Sequence, residues 1–312
     1  MTVAFSSRRS TAEPKVKAPR RPAWQPAPHP AITVLKVLAL VVVVALVLLP
    51  CLVVVSTSLA GQQEVIANGG WVIWPTDPTF DAYREVLTGG VVTRATLISA
   101  GVTIVGTTLS LLCTIGMAYA LSRPNTFAGK PITLLVLFTL LFTPGMIPTY
   151  LVVTGMGLKD TYASLIVPVL VNAFNLVVLR GFFQRIPNEL IEAAKIEGAG
   201  EVRILTRIVL PLSKAAVAVV GLFYAVQYWN SFFGAVLYLD DSAKWPIQLV
   251  LRQYVIQGSP IAGSLANAEA MVSAPNSIQM AVVVLAMLPI ICVYPFLQRH
   301  FMSGVLTGAV KS

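Results

Sequence analysis

The sequence predicts an all-α membrane protein with six transmembrane helices and both termini in the cytoplasm. Of its 312 residues, 56% are hydrophobic and only 11% charged, with a mean hydropathy of +0.78, well outside the composition of soluble domains. The few charges are segregated, leaving six windows free of Asp, Glu, Lys and Arg: 37–63, 95–122, 131–158, 161–179, 215–239 and 270–298. A helix needs roughly 20 apolar residues to cross the hydrocarbon layer, and each window reaches that length or falls within a residue of it. Helices are expected because lipid offers no partner to unpaired backbone groups. Orientation follows from the cations, which are retained on the cytoplasmic side. With the N-terminus inside, 17 of the 22 Lys and Arg are cytoplasmic; only Arg84, Lys159, Lys244 and Arg252 lie clearly outside, with Arg94 at a boundary.

In chain order, residues 1–31 form a basic, Pro-rich arm that cannot bury enough surface to fold alone and is read as disordered and cytoplasmic. Residues 32–312 read as one six-helix membrane domain. Ser58-Leu59-Ala60 resembles a signal-peptidase site, but the apolar run Val37 to Val55 is longer than a signal h-region, so the first helix is read as retained. The external segment to about Thr93 carries Asn68-Gly69-Gly70, Trp71, Trp74, Pro75 and Pro78, read as turns and interfacial aromatics. Helix two ends at Arg123-Pro124-Asn125, and Gly129-Lys130-Pro131 starts helix three after a tight hairpin. Pro144-Gly145 and Pro148 should break or kink helix three at membrane depth, either as structure or to line a pathway.

Helix four, Tyr162 to Phe183, contains Pro168, Asn172 and Asn175. Amides are costly in lipid without partners, so these two either bond between helices or line a polar passage. Helix five contains Gln227, Tyr228, Trp229 and Asn230, a group of amides and aromatics suited to sugar hydroxyls and sugar faces. The external segment 240–276 has Gly, Pro and Ser punctuation and little periodicity, and helix six returns to the cytoplasm. No fixed-period repeat is visible.

The cytoplasmic loop 184–213 is the most charged stretch between the helices. Pro187 suits the first turn of a helix, and Glu189 and Glu192 lie near its positive end. Gly198 and Gly200 can take left-handed angles and stop it, leaving about three turns on which Ala193 and Ala194 allow close approach by another protein. The following segment, 201–210, is amphipathic: Ile204, Leu205 and Ile208 share one face, and Arg203 and Arg207 lie on another. Pro211 marks the passage into helix five. Composition alone favours reading this as a solvated interfacial helix pair without a partner.

The chemistry of catalysis is missing. There is no G-x-x-x-x-G-K-[ST] phosphate loop and no H-E-x-x-H, and the histidines are His29 and His300 alone. Cys51, Cys113 and Cys292 fall in hydrophobic windows with no paired spacing. The basic balance follows the membrane rule, since the cations are spread over loops without aromatic interleaving, so nucleic-acid binding is not expected. Charge-free spans also argue against the ionisable residues of a secondary transporter or ion channel.

Glu192-Ala193-Ala194, Gly198, and Ile208, Leu210 and Pro211 together form E-A-A-x-x-x-G-x(9)-I-x-L-P, which resembles the signature loop of ABC importer permeases. Glu197 stands where many relatives carry Asp. The resemblance extends over roughly residues 30–312. Phe142 to Tyr150, Gly157-Leu158, Tyr162 to Pro168, Arg180 to Phe183, Ile186-Pro187 and Tyr228 to Phe232 are similar to segments of carbohydrate-importer permeases. The likeness is greatest to the maltose-type second subunit of the oligosaccharide branch.

This resemblance implies a type I importer permease in the plasma membrane, supplying half of a pore completed by a second permease subunit. Residues Glu192 to Gly198 would be the helix that couples the pore to two separate ATPase subunits, which would bind ATP and Mg²⁺; no cofactor would bind this chain. An extracytoplasmic solute-binding protein would deliver the sugar, and 240–276 would reach into it. The alternatives are an amino-acid or peptide importer permease, a secondary transporter, or a membrane scaffold.

Overall fold

A computed structural model describes residues 30–124, 126–257 and 276–309. The first 29 residues of the predicted arm, and 258–275 of the external segment, lie outside the described residues. The chain divides into two compact units, Met1–Pro50 and Cys51–Ser312. Helix α1 (Pro30–Leu59) begins in the first unit, seven residues before its charge-free window opens. Every residue from Pro30 to Pro50 is helical and exposed.

In the second unit, α2 (Gln62–Ala67) and α3 (Asp81–Thr88) precede α4 (Val91–Ser122), α5 (Gly129–Leu141) and α6 (Met146–Gly155). Then come α7 (Ala163–Ile166), running into a tight turn at Val167–Val169, α8 (Ala173–Gln184) and α9 (Asn188–Ile196). Helix α10 (Glu201–Ile204) widens into a π-turn at Leu205–Val209 before α11 (Leu210–Leu212), α12 (Lys214–Trp229), α13 (Phe233–Tyr238), α14 (Ile247–Arg252) and α15 (Asn276–Ala309). Among the described residues there is one isolated bridge, Ala60 to Pro78, and no strand.

Three helices are long and apolar enough to cross a membrane unaided, and six spans result if each of three bent pairs is one crossing. Gly129–Leu141 and Met146–Gly155 meet at 119°, Ala163–Val169 and Ala173–Gln184 at 52°, and Glu201–Leu212 and Lys214–Trp229 at 87°. The expected break in helix three is present. Thr143, Pro144 and Gly145 are non-helical, with Gly145 at φ +82°. The break in helix four is also built in, because the Asn172 side chain accepts the Asn175 backbone N–H at 3.2 Å and caps α8 there.

Helix α4 organises the core. Its buried positions include Ala95, Ser99, Val102, Gly106, Ser110, Thr114, Ala118 and Leu121, a stripe of mostly small residues at helical spacing. In lipid, helices associate through such close packing and through bonds between polar side chains. Tyr224 and Tyr228 of α12 lie across this stripe, bonded through their hydroxyls to Thr114 and Ser110, each at 2.7 Å. Tyr224 also accepts the Asn172 backbone N–H at 2.8 Å, so the break in helix four rests on helix five. A second cluster joins α3, the start of α4, α14 and α15 through Val86, Val92, Ile247, Val250, Ile278 and Val282.

The described parts of the external segments contain short helices that the sequence did not show. Asn68, Gly69 and Gly70 form a turn as read, and on either side of it lie α2 and α3, held by Thr57 to Val72 and Ser58 to Tyr83 hydrogen bonds. Trp71 and Trp74 are exposed, as interfacial residues would be. Between Asp240 and Gln257 the chain forms a short turn at Ser242–Lys244 and then α14. The Ile247 backbone N–H reaches the Ser99 hydroxyl at 2.8 Å, fastening α14 to α4. Six-residue helices carry too little periodicity to be seen in sequence.

Candidate functional site

Two neighbourhoods collect the residues singled out from the sequence. The first is the loop 184–213. Pro187 stands one residue before α9, in the capping position. Nine residues make α9 roughly 14 Å long. Its C-terminus is closed by the bond pattern expected for a left-handed stop: Ala199 N–H to the Ala194 carbonyl at 2.9 Å and Gly198 N–H to Lys195 at 3.0 Å. Gly198 has φ +80°, whereas Gly200, also predicted to be left-handed, is extended at φ −72° and caps α10. Only Gly198 therefore needs the freedom of glycine.

The two alanines separate. Ala194 is buried with Ile191 in the chain's own core, while Ala193 faces out with Glu192, Leu190 and Ile196. Ile196 is 88% exposed, at the free end of an apolar row Leu190, Ala193 and Ile196 with three-residue spacing. Burying Ala194 rather than presenting it corrects the expectation of a paired flat surface. In the second segment Ile204 is fully buried and Leu205 and Ile208 pack against the core, with Arg203 and Arg207 exposed, as the amphipathic pattern requires. Leu210 is half-buried and Pro211 exposed at the turn into α12.

A hydrogen-bonded junction also ties the loop to α4. Lys195 pairs with Glu201 at 2.8 Å, and the Tyr119 hydroxyl of α4 donates to the other carboxylate oxygen. These bonds, Lys195 first and Tyr119 next, hold the Glu201 carboxyl below its usual range. Sequence reading missed this junction, because Tyr119 lies 82 residues from its partner.

The second neighbourhood is a cavity of about 530 Å³ at the break in helix three and at the interruption of helix five between α12 and α13. Gln227, Tyr228 and Asn230 line it, joined by Thr143, Ser231 and Tyr238. Thr149 and Ser164 also line it, but their hydroxyls bond the carbonyls of Gly145 and Thr161, just before their own helices. The Tyr238 ring is stacked on Tyr150 at 6.2 Å. The remaining singled-out residues are elsewhere. Trp229 donates its indole N–H to the Ala286 carbonyl at 3.0 Å and lines a separate apolar cavity of about 170 Å³. Asn172 caps α8, and Asn175 is buried. Tyr228 lines the 530 Å³ cavity, but its hydroxyl is held by Ser110. Thr143 and Ser231 beside the helix breaks were the overlooked polar groups; the Pro144-Gly145 signal pointed to their location.

No family model matches the chain. It is 46% identical over 264 residues to the polygalacturonan/rhamnogalacturonan transport system permease protein YtcP of Bacillus subtilis (strain 168), covering 84% of this chain and 92% of that protein. It is 45% identical over 267 residues to protein LplC of the same organism, covering 86% and 90% respectively. Among solved structures, it matches a chain of a bacterial ABC transporter involved in the import of the acidic polysaccharide alginate. The TM-score is 0.81 and the identity 28%, with 89% of this chain and all of that one covered.

Proposed function

Because this chain belongs to the family of ABC importer permeases, we propose that it forms half of an oligosaccharide pore, driven through α9 by a separate ATPase. It is a transport subunit, integral to a membrane, and not an enzyme. The observation that carries the coupling role is the exposed row of α9, with Glu192, Ala193 and Ile196 outward and a Gly198 stop that holds the helix rigid at its end. A short helix anchored by Ile191 and Ala194 acts as a lever: force on its outer face passes to α4 through Lys195, Glu201 and Tyr119. Ile208, Leu210 and Pro211 set the angle at which that lever meets α12. ATP and Mg²⁺ belong to the partner ATPase, and a second permease subunit completes the pore in the plasma membrane, with both termini of this chain inside.

The cargo we propose is an oligosaccharide from an acidic polysaccharide, delivered by a solute-binding protein that engages 240–276. The names of the relatives support this class. The 530 Å³ cavity fits sugar chemistry, since it offers the amides of Gln227 and Asn230 beside the rings of Tyr228 and Tyr238. None of its lining residues is charged, so a uronate carboxylate would be recognised by the binding protein or the second permease.

The test uses the assembled transporter in lipid. Gly198→Leu and Glu192→Lys should each leave the permease inserted and the complex intact while abolishing sugar-stimulated ATP hydrolysis. Unchanged stimulation in both variants would overturn the coupling assignment.

A further inference from the structure

Three cations, one capping the end of α4 and two from α5 and α8, converge on one cleft. Arg123 is the first charge after window 95–122, Lys130 the last before 131–158, and Arg180 the first after 161–179. All three therefore sit at the polar edge of an apolar span. Together they line a cavity of about 810 Å³ between the end of α4, the start of α5 and the end of α8, with no carboxylate in its lining. Its remaining wall includes the apolar side chains of Pro131, Leu134 and Phe183.

The cations are unequally engaged. Arg180 donates its Nε to the Leu121 carbonyl at 2.9 Å, which fixes its fork in the cleft. Arg123 lies over the Tyr119 ring at 4.3 Å, and its Nε and Nη2 are buried with no hydrogen-bond partner. Arg123 also borders a neighbouring cavity lined by Glu192, Lys195 and Glu201, where the Glu201 carboxylate is already held by Lys195 and Tyr119. Buried guanidinium N–H groups left unmatched are costly, and a phosphate group would match their fork.

The apolar side of the cleft continues along α5, which has no buried residue. Leu134, Phe138 and Leu141, spaced four and three residues apart, are all exposed and form a row leading away from the cavity. A soluble anion would use only the cationic end. An acyl chain would use the row as well.

We infer that this cleft binds the phosphate headgroup of an anionic glycerophospholipid, with its acyl chain along α5. Basic pockets between transmembrane helices at headgroup depth suit such ligands. The phosphate would bridge Arg123 and Lys130, with Arg180 as the fixed third donor.

The experiment uses the assembled transporter, delipidated in detergent, with native mass spectrometry after adding phosphatidylglycerol or phosphatidylcholine. Phosphatidylglycerol should be retained by the wild type, and the double variant Arg123→Gln/Lys130→Gln should lose that retention by about tenfold to thirtyfold. The double variant Arg123→Lys/Lys130→Arg should recover most of it, which separates loss of charge from misfolding. Inorganic phosphate in millimolar excess should leave the lipid bound. Equal retention of both lipids, undiminished retention in the Gln variant, or full displacement by inorganic phosphate would each overturn the assignment, the last by making the ligand a soluble phosphate.

Discussion

The ring of Tyr228 lies where a side chain on Gly106 would have to be: a Cβ built on that glycine comes within 2.8 Å of three ring atoms. α4 and α12 therefore approach as closely as they do because position 106 has no side chain, and that approach brings Tyr228 to Ser110 and Tyr224 to Thr114.

Gly106→Ala should cost about 1–3 kcal/mol through overpacking, seen as a lower thermal midpoint of the purified complex. Gly101 of the same helix has open space around it. Gly101→Ala should leave the midpoint unchanged or raise it, since alanine favours helix by about 1 kcal/mol over glycine. Equal losses at both positions would refute the close-approach account.

The two tyrosines should respond differently to loss of their hydroxyls. Tyr228→Phe breaks a bond to Ser110, whose hydroxyl can turn to its own helix, and a long one of 3.4 Å to the Ile166 carbonyl, so a cost near the membrane average of about 0.6 kcal/mol is expected. Tyr224→Phe also strands the Asn172 backbone N–H at the break in helix four, which should cost about 1–3 kcal/mol. Denaturation of both variants in the same detergent measures the difference; a larger loss for Tyr228→Phe would contradict it.

Ala193 and Ala194 provide a second contrast. Ala194 is buried, so Ala194→Leu should destabilise the fold by about 1–3 kcal/mol. Ala193 faces outward, so Ala193→Leu should change stability by no more than about 0.5 kcal/mol yet lower sugar-stimulated ATP turnover. Thermal midpoint and ATPase rate, measured on the same preparations, separate the two effects.

Asp160 clasps the segment before α14. Its carboxylate accepts the Lys244 ammonium and the backbone N–H groups of Asp240 and Asp241. The Lys244 bond first, and the Asp241 N–H next, hold its carboxyl below the ordinary 3.8. A lowered folded value means that the ionised form is favoured in the fold. The clasp therefore contributes fully above the unfolded value and is lost as pH falls through the folded one, below 3.8. Hydrogen exchange at 240–245 should stay slow from about pH 7 to pH 5 and speed up only below the ordinary carboxylate range, relative to intrinsic rates. Asp160→Asn should speed it at every pH; slow exchange in that variant would remove Asp160 as the clasp.

Composition and charge spacing were enough to read an all-helical membrane chain with six crossings, because crossing lipid imposes length and polarity rules on each segment independently of its neighbours. The short helix ending at Gly198 was legible for a similar reason: caps and stops are local chemistry. Tertiary structure decided which side of each helix turns inward. It buried Ala194 and exposed Ala193, engaged Trp229 and the Tyr228 hydroxyl in bonds between helices while leaving Gln227 and Asn230 on a cavity, and made Asn172 a helix cap. It also brought Arg123, Lys130 and Arg180 to one cleft. In a uniformly apolar sequence the hydrophobic pattern cannot mark an inner face, so facing is set by small-residue packing and by polar groups finding partners tens of residues away.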